Sequence, residues 1–368
     1  MSNRSSRLLW LAGGGLAGFA TAVAWGHSGA LTQPVATAAA GAGALAAGVL
    51  AYVNGQRSRE QAERHHREEV DRERERHAAD TRQARESALR DRYVTVASQL
   101  ADPSPAIRQA GVYAAVALAD DWHAFGENQE RQVCVDLLRS YLKVRPEQKG
   151  VPDASHLPPT MSTGEMEVRA TIVRVVAERR QLRGEELKSW ADVHTELGHA
   201  ELAGLSLGPT LTAMRMPHAN LNYAGMADAD LRGANLSSAR LCRATLVGAD
   251  LCKANLDRAD LTAALLRGAD LVAASMAVAV VDEAIVTQAD LREANLFASS
   301  LKHADLREAD LSDTNLNFTN LTGADLRGAN LWGANLSGAN LEEAQLRNAI
   351  LTEVKFDDNT RWPDGFTP

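Results

Sequence analysis

Cysteine is nearly absent: Cys134, Cys242 and Cys252 are the whole complement of 368 residues. An odd count this small supports no disulfide framework and fits a reducing compartment. Charge of one sign is lacking too. The net charge is −8, which does not point to nucleic acid as a direct ligand. The chain has no Gly-rich phosphate loop, no HExxH, no CxxC pair and no nucleophile elbow. No catalytic, cofactor-binding or metal-ligating residue is therefore assigned, and the chain is read as a non-enzyme. His65, His66 and His77 stand in a charged stretch without a ligand set beside them and read as solvated side chains.

What is present in quantity is a period of five. From Leu211 to Phe356 every fifth residue is apolar and the phase never slips. Seven of the centres are Leu231, Leu251, Leu271, Leu291, Leu311, Leu331 and Leu351. Two residues before each centre stands a small side chain, nearly always Ala; Ser299, Thr314 and Thr319 are the exceptions between Ala219 and Ala349. One residue before the centre is often Asp or Asn. Helices repeat at 3.6 residues and strands at 2, so a five-residue unit is neither. It reads as one side of a coil. Four sides close a square turn of about twenty residues, a repeat length that signals a solenoid. Leu then fills the axis and Ala lets the wall come close. Roughly seven coils at about 4.8 Å give a rod on the order of 34 Å.

The unit A-(D/N)-L-x-x, cleanest in "GADLRGANLWGANLSGANL" at 323–341, resembles the pentapeptide-repeat family. The resemblance implies a right-handed quadrilateral β-helix over residues 216–356. The consensus weakens at 274–287, where Val280 and Ile285 replace the usual polar residue, but the phase survives. A less regular or partly apolar patch is expected there.

Elsewhere the chain divides by composition. Residues 1–55 hold two uncharged apolar runs, 8–25 and 30–53, each long enough to cross a bilayer. Arg4 and Arg7 precede them, Arg57 and Arg59 follow, and the turn carries no charge. This predicts a transmembrane helical hairpin with both ends cytoplasmic, in the cell membrane. A signal peptide ending near "AVAW" is the competing reading. Residues 56–92 mix Arg and Glu with favourable i,i+4 pairs such as Glu60/Arg64, Glu63/Arg67 and Glu68/Arg72, which predicts a solvated helical spacer without a coiled-coil seam. Residues 93–184 read as a small all-α domain, with a HEAT-like hairpin broken at Asp102–Pro105. Ile107, Ala110, Val112, Ala114, Ala115 and Leu118 are assigned to its packed faces, with Val133, Val135, Leu137, Leu138, Tyr141 and Leu142 on the third helix. The fourth helix, 164–181, turns Val168, Ile172, Val173, Val175 and Val176 inward. Residues 185–215 lead into the rod and 357–368 close it, with Trp362 and Phe366 as the plug. The order of hairpin, charged helix, helical domain and repeats is similar to that of actinobacterial pentapeptide-repeat proteins. The whole is a multidomain chain of helices and β-solenoid.

Positions twenty apart stack on such a rod. Asp230, Asp250, Asp270, Asp290 and Asp310 form one column. Asn235, Asn255, Asn295, Asn315 and Asn335 form another, whose amides are expected to bond along the ladder. Arg267, Arg307, Arg327 and Arg347 form a third. For the Asp column three outcomes stay open: return to backbone amides at the corners, neutralisation by nearby Arg, or an acidic stripe for a basic partner or cation. The Arg column is a solvated face or a site for an acidic protein or anionic headgroups. Two functions follow. One is a membrane-anchored scaffold binding unidentified protein partners, with the lipid bilayer engaged through residues 8–53. The alternative, implied by the family, is a DNA-mimicking protein that engages topoisomerases. Against it, residues 211–356 carry 18 acidic and 13 basic residues, a net charge of only −5.

Overall fold

The computed structural model describes residues 33–144, 161–181, 189–190 and 192–367, with side chains from residue 41 onward. Two units divide at Glu86.

The first unit is helical. The α1 helix, Gln33–Leu100, runs without a break from the apolar stretch through the charged one. The three favourable pairs form, Arg64 with Glu60, Arg67 with Glu63 and Arg72 with Glu68, at 3.8–4.0 Å on a solvated surface. The run at 8–25 lies outside the described residues, and the run at 30–53 is described from Gln33 as the start of α1. Among the described residues no helix is long and apolar enough to cross a membrane.

The second unit begins with the last turns of α1, which bury Leu89, Val96 and Leu100. Pro103 and Pro105 break the helix, and α2 (Pro105–Phe125) starts with Pro at its first turn, where a missing N–H costs nothing. It ends at Gly126 in the left-handed region, φ 88°. Against α2 pack α3 (Asn128–Lys143) and α4 (Thr163–Gln181). Val112, Ala115, Leu118, Val135, Leu138, Leu142, Val168, Ile172, Val173, Val175 and Val176 are buried. Ile107, Ala110 and Val133, read as inward, are exposed instead. Each lies within a turn of a buried neighbour, on the part of the helix that faces water.

The rod is a stack of parallel bridges between residues twenty apart, such as Asp250↔Asp270, Asn255↔Ser275, Asp260↔Val280 and Leu265↔Ile285. Each side spends two residues in a corner turn, so the bridges are isolated rather than joined into long strands. The six Leu centres from Leu231 to Leu331 and the Ala two residues before them are wholly buried, while Leu351 near the open end is half-buried. At 274–287 the phase holds: Met276, Val281 and Val286 fill the axis, and Val280 and Ile285 point outward. The exceptions to Ala are buried and satisfied. The hydroxyls of Ser299 and Thr319 donate to the Leu296 carbonyl at 2.7 and 2.8 Å, and that of Thr314 to the Leu291 carbonyl at 2.9 Å, as a hydroxyl in a dry core must.

Both ends differ from the strict period. Bridging begins at Glu201, within the segment read as a lead-in: Glu201 pairs with Asn220 and Ser206 with Gly225, nineteen apart, before Thr210 pairs with Asp230. One side is a residue short between Ser206 and Thr210, so Leu202, Leu207 and Leu211 are the inward centres there. About eight coils therefore stack, a rod of roughly 38 Å at 4.8 Å per coil. At the other end Phe356, read as the last centre, is exposed, because no further coil covers it. Trp362 packs on the core between Phe356 and Phe366, ring centroids 5.6 and 5.3 Å away.

The helical domain is fused to the first coil. Arg169 on α4 is buried and donates to the carbonyls of Leu142, Val144 and Glu201 at 2.8–3.2 Å. Its Nε binds Glu165 at 2.6 Å. One guanidinium thus ties the C-terminal carbonyls of α3 to the first bridging residue of the rod.

Candidate interaction surfaces

The five N–H groups of one side account for the repeat chemistry. Around Leu251, the Asp250 N–H donates to Ala229 in the coil before, and the Leu251 and Lys253 N–H groups donate to Asp270 and Val272 in the coil after. The Ala254 N–H returns to Leu251 and closes the corner turn. One N–H remains, that of Cys252, and the Asp250 carboxylate accepts it at 3.1 Å. Buried or half-buried donors need partners, so Asp or Asn before the centre has a structural role. All five members of the Asp column do this: Asp230, Asp250, Asp270, Asp290 and Asp310 accept from the N–H two residues on, at 3.0–3.2 Å.

At three positions that lack Asp or Asn, the acceptor comes from one coil away. Arg240 stands before Leu241, and Asn222 accepts the Cys242 N–H instead. Ser275 and Ser300 are covered in the same way by Asp257 on Ala277 and Asp282 on Lys302. These substitutions lie twenty residues from what they compensate, and a search for that spacing would have found them.

The Asn column behaves like the Asp column. Asn235, Asn255, Asn295, Asn315 and Asn335 all accept the N–H two residues on. The expected amide ladder is reduced to one rung, Asn315 donating to Asn295 at 2.9 Å. The corner N–H takes the carbonyl oxygen and sets the plane of the amide.

Charge on the rod is clamped by a tripeptide that was legible and passed over, Asp-Leu-Arg. Arg232, Arg292, Arg307 and Arg327 each reach back over a Leu to grip Asp230, Asp290, Asp305 and Asp325 with two nitrogens, at 2.6–2.9 Å. The guanidinium beside it holds each carboxyl below the usual aspartate range, Asp230 at about 2. The Arg column therefore splits. Arg307 and Arg327 are spent on Asp305 and Asp325, whereas Arg267 and Arg347 follow Leu265 and Gln345 and have no acidic partner among the described residues. Asp260 has another balance: burial raises it, but the Thr262 hydroxyl and the Cys242 thiol outweigh that and lower it. The Cys242 thiol is pushed up to about 12 by burial and then by Asp260. All three cysteines are free. Among the described residues no cluster of His, Cys, Asp or Glu has metal-holding geometry.

One corner of the rod is apolar. Three successive coils place Val278, Phe297 and Phe318 there, 50%, 40% and 59% exposed. The Val278 N–H donates to the Phe297 carbonyl, and the two Phe rings meet edge to face with centroids 5.8 Å apart. Beside them Asn317 keeps a buried Oδ1 without a hydrogen-bond partner. The two phenylalanines occupy corner positions that the five-residue period leaves unspecified, so the sequence pattern did not single them out.

A family model described as pentapeptide repeats matches the chain in eight copies, over residues 218–246, 234–271, 279–313, 289–328 and 324–358. No curated protein matches in a sequence search. Among solved structures, a pentapeptide repeat protein from Nostoc PCC 7120 is 34% identical, over 31% of this chain and 77% of its own, with a TM-score of 0.18. HetL, a pentapeptide repeat protein involved in heterocyst differentiation regulation from Nostoc sp. strain PCC 7120, is 29% identical, over 47% of this chain and 89% of its own, TM-score 0.17. QnrB1, a plasmid-mediated fluoroquinolone resistance protein, is 17% identical, over 38% of this chain and 80% of its own, TM-score 0.32.

Proposed function

The chain belongs to the pentapeptide-repeat family, and from that premise we propose that it is a non-enzymatic interaction platform held at a membrane by residues 8–53. Repeats of this family form a right-handed β-helix and generally serve as structural or interaction modules. The observation that carries the reading is the Val278, Phe297 and Phe318 corner: a stiff rod, polar on most of its surface, exposes an aromatic pair. Exposed aromatic clusters of this kind are energetically costly in water and typical of binding hot spots. The filled Leu axis leaves the rod without a substrate cleft. The membrane part rests on the uncharged stretch from Ala30 to Val53, on the exposed Leu45, Val49, Leu50 and Tyr52 of α1, and on the flanking Arg57 and Arg59.

The test is affinity capture of the detergent-solubilised full chain from its native cells, against the F297S/F318S double variant. A protein retained by the wild type and by R267Q but lost from the double variant supports the platform and identifies its client. Identical capture by both removes the aromatic corner as the interaction surface. Deleting residues 1–55 is expected to release the protein from the membrane fraction; retention there would sink the anchoring role. DNA mimicry asks for a continuous acidic face, and the four Asp-Leu-Arg clamps work against one.

A further inference from the structure

Beside the joint between α4 and the first coil lies a cleft of about 310 Å³. Arg180 enters it from the last turn of α4 and Arg215 from the first coil, with Trp190, His194, Thr195 and Glu196 between them. Both guanidiniums line the same cleft. Arg215 has one ion pair, to Glu196 at 3.4 Å. Among the described residues Arg180 donates to neutral oxygens, the Thr195 hydroxyl at 2.9 Å and the Ala213 carbonyl at 3.1 Å. Burial and then the like charge of Arg215 lower its proton affinity. Among the described lining residues two arginines stand against one carboxylate, Glu196.

A second observation is independent of that charge. Trp190 lines the cleft and is wholly buried, and its indole Nε1–H has no acceptor. A buried N–H left unpaired costs about 1–3 kcal/mol, and native proteins rarely carry one. The cleft thus has two under-neutralised cations and one spare donor, which is a recognition set for an oxyanion: guanidinium forks match the paired oxygens of phosphate and carboxylate.

We propose that this cleft binds a small organic molecule through a phosphate or carboxylate group held between Arg180 and Arg215, with the Trp190 indole as a further donor. The anion relieves the Arg180–Arg215 repulsion and fills the orphaned hydrogen bond. The ligand bridges α4 and the first coil, so its binding stiffens the joint that Arg169 closes from within. The site is separate from the aromatic corner and stands or falls without it.

The experiment titrates the full chain in detergent by calorimetry, at constant ionic strength, with inorganic phosphate in one arm and acetate in the other. A 5-fluorotryptophan label reports Trp190, its fluorine signal assigned with W190F. Saturable binding that moves the Trp190 signal and weakens at least tenfold in R215Q is the expected result. Response to phosphate alone makes the ligand a phosphate ester, and response to acetate alone a carboxylate. R180Q loses two structural hydrogen bonds and is open to misfolding; R215Q, whose side chain is more than half exposed, keeps the test decisive. No saturable binding of either anion, or equal binding by R215Q, overturns the proposal.

Discussion

The ring of Phe318 lies against Gly338, the residue that stacks on it one coil further on: a Cβ built on Gly338 would sit 2.6 Å from the ring. Gly338 also has φ +69°, a region that costs a side chain about 1–2 kcal/mol. Gly338→Ala is therefore expected to destabilise the rod by about 1–2 kcal/mol and to push Phe318 off Phe297. Thermal melting reads the first effect. Partner capture reads the second, and unchanged capture with a lowered melting temperature would separate stability from binding.

Val278 stands at the same kind of corner with φ 59°. A β-branched side chain there is a genuine outlier, whereas Asn visits the left-handed region readily. Because Val278 is half exposed, little buried area is lost on replacement. Val278→Asn should raise stability by about 0.5–1 kcal/mol through relieved strain. A lower melting temperature would show that the apolar contact with its neighbours outweighs the backbone term.

Arg169 satisfies three carbonyls and the Glu165 carboxylate from a buried position. Without Arg169 the Glu165 carboxylate keeps Arg108 at 3.0 Å and the Tyr141 hydroxyl at 2.8 Å, but buried carbonyls lose their donor, which costs about 1–3 kcal/mol. Arg169→Met should lose that much in denaturant unfolding, with the Glu201–Leu142 hydrogen bond at 2.8 Å opening to hydrogen exchange before the middle coils. Uniform protection along the rod would mean that the joint is held by the apolar core alone.

Acid should weaken the rod in a defined window. Asp230, Asp290, Asp305 and Asp325 ionise below an unfolded aspartate because Arg232, Arg292, Arg307 and Arg327 donate to them. Above about pH 4, near the unfolded value, their contribution is fully present. As pH falls toward the folded value, about 2 for Asp230, the unfolded chain binds protons first and the contribution is lost. These clamps are exposed, so each contributes little, and less at high salt. Melting temperature should fall between about pH 4 and pH 2, less steeply in Arg292→Gln. An identical slope in that variant would locate the acid sensitivity elsewhere.

The sequence alone determined the rod. A five-residue phase is written once per side, so Leu231 to Leu331 and their alanines report the same axis again and again, and local exceptions such as Val280 and Ile285 cannot move it. It determined the helices for a similar reason, since pairs such as Glu60/Arg64 are four residues apart. The tertiary structure alone decided what depends on distant neighbours. The coil starts at Glu201 because a four-residue side shifts the phase, which only its bridge to Asn220 discloses. Phe356 is exposed because no further coil stacks above it. Asp257 and Asp282 cap amides twenty residues away, and Arg180, Trp190 and Arg215 meet because α4 docks beside the first coil. Periodicity encodes what repeats locally; a hydrogen bond or charge pair that joins separate elements exists only once the chain has folded them together.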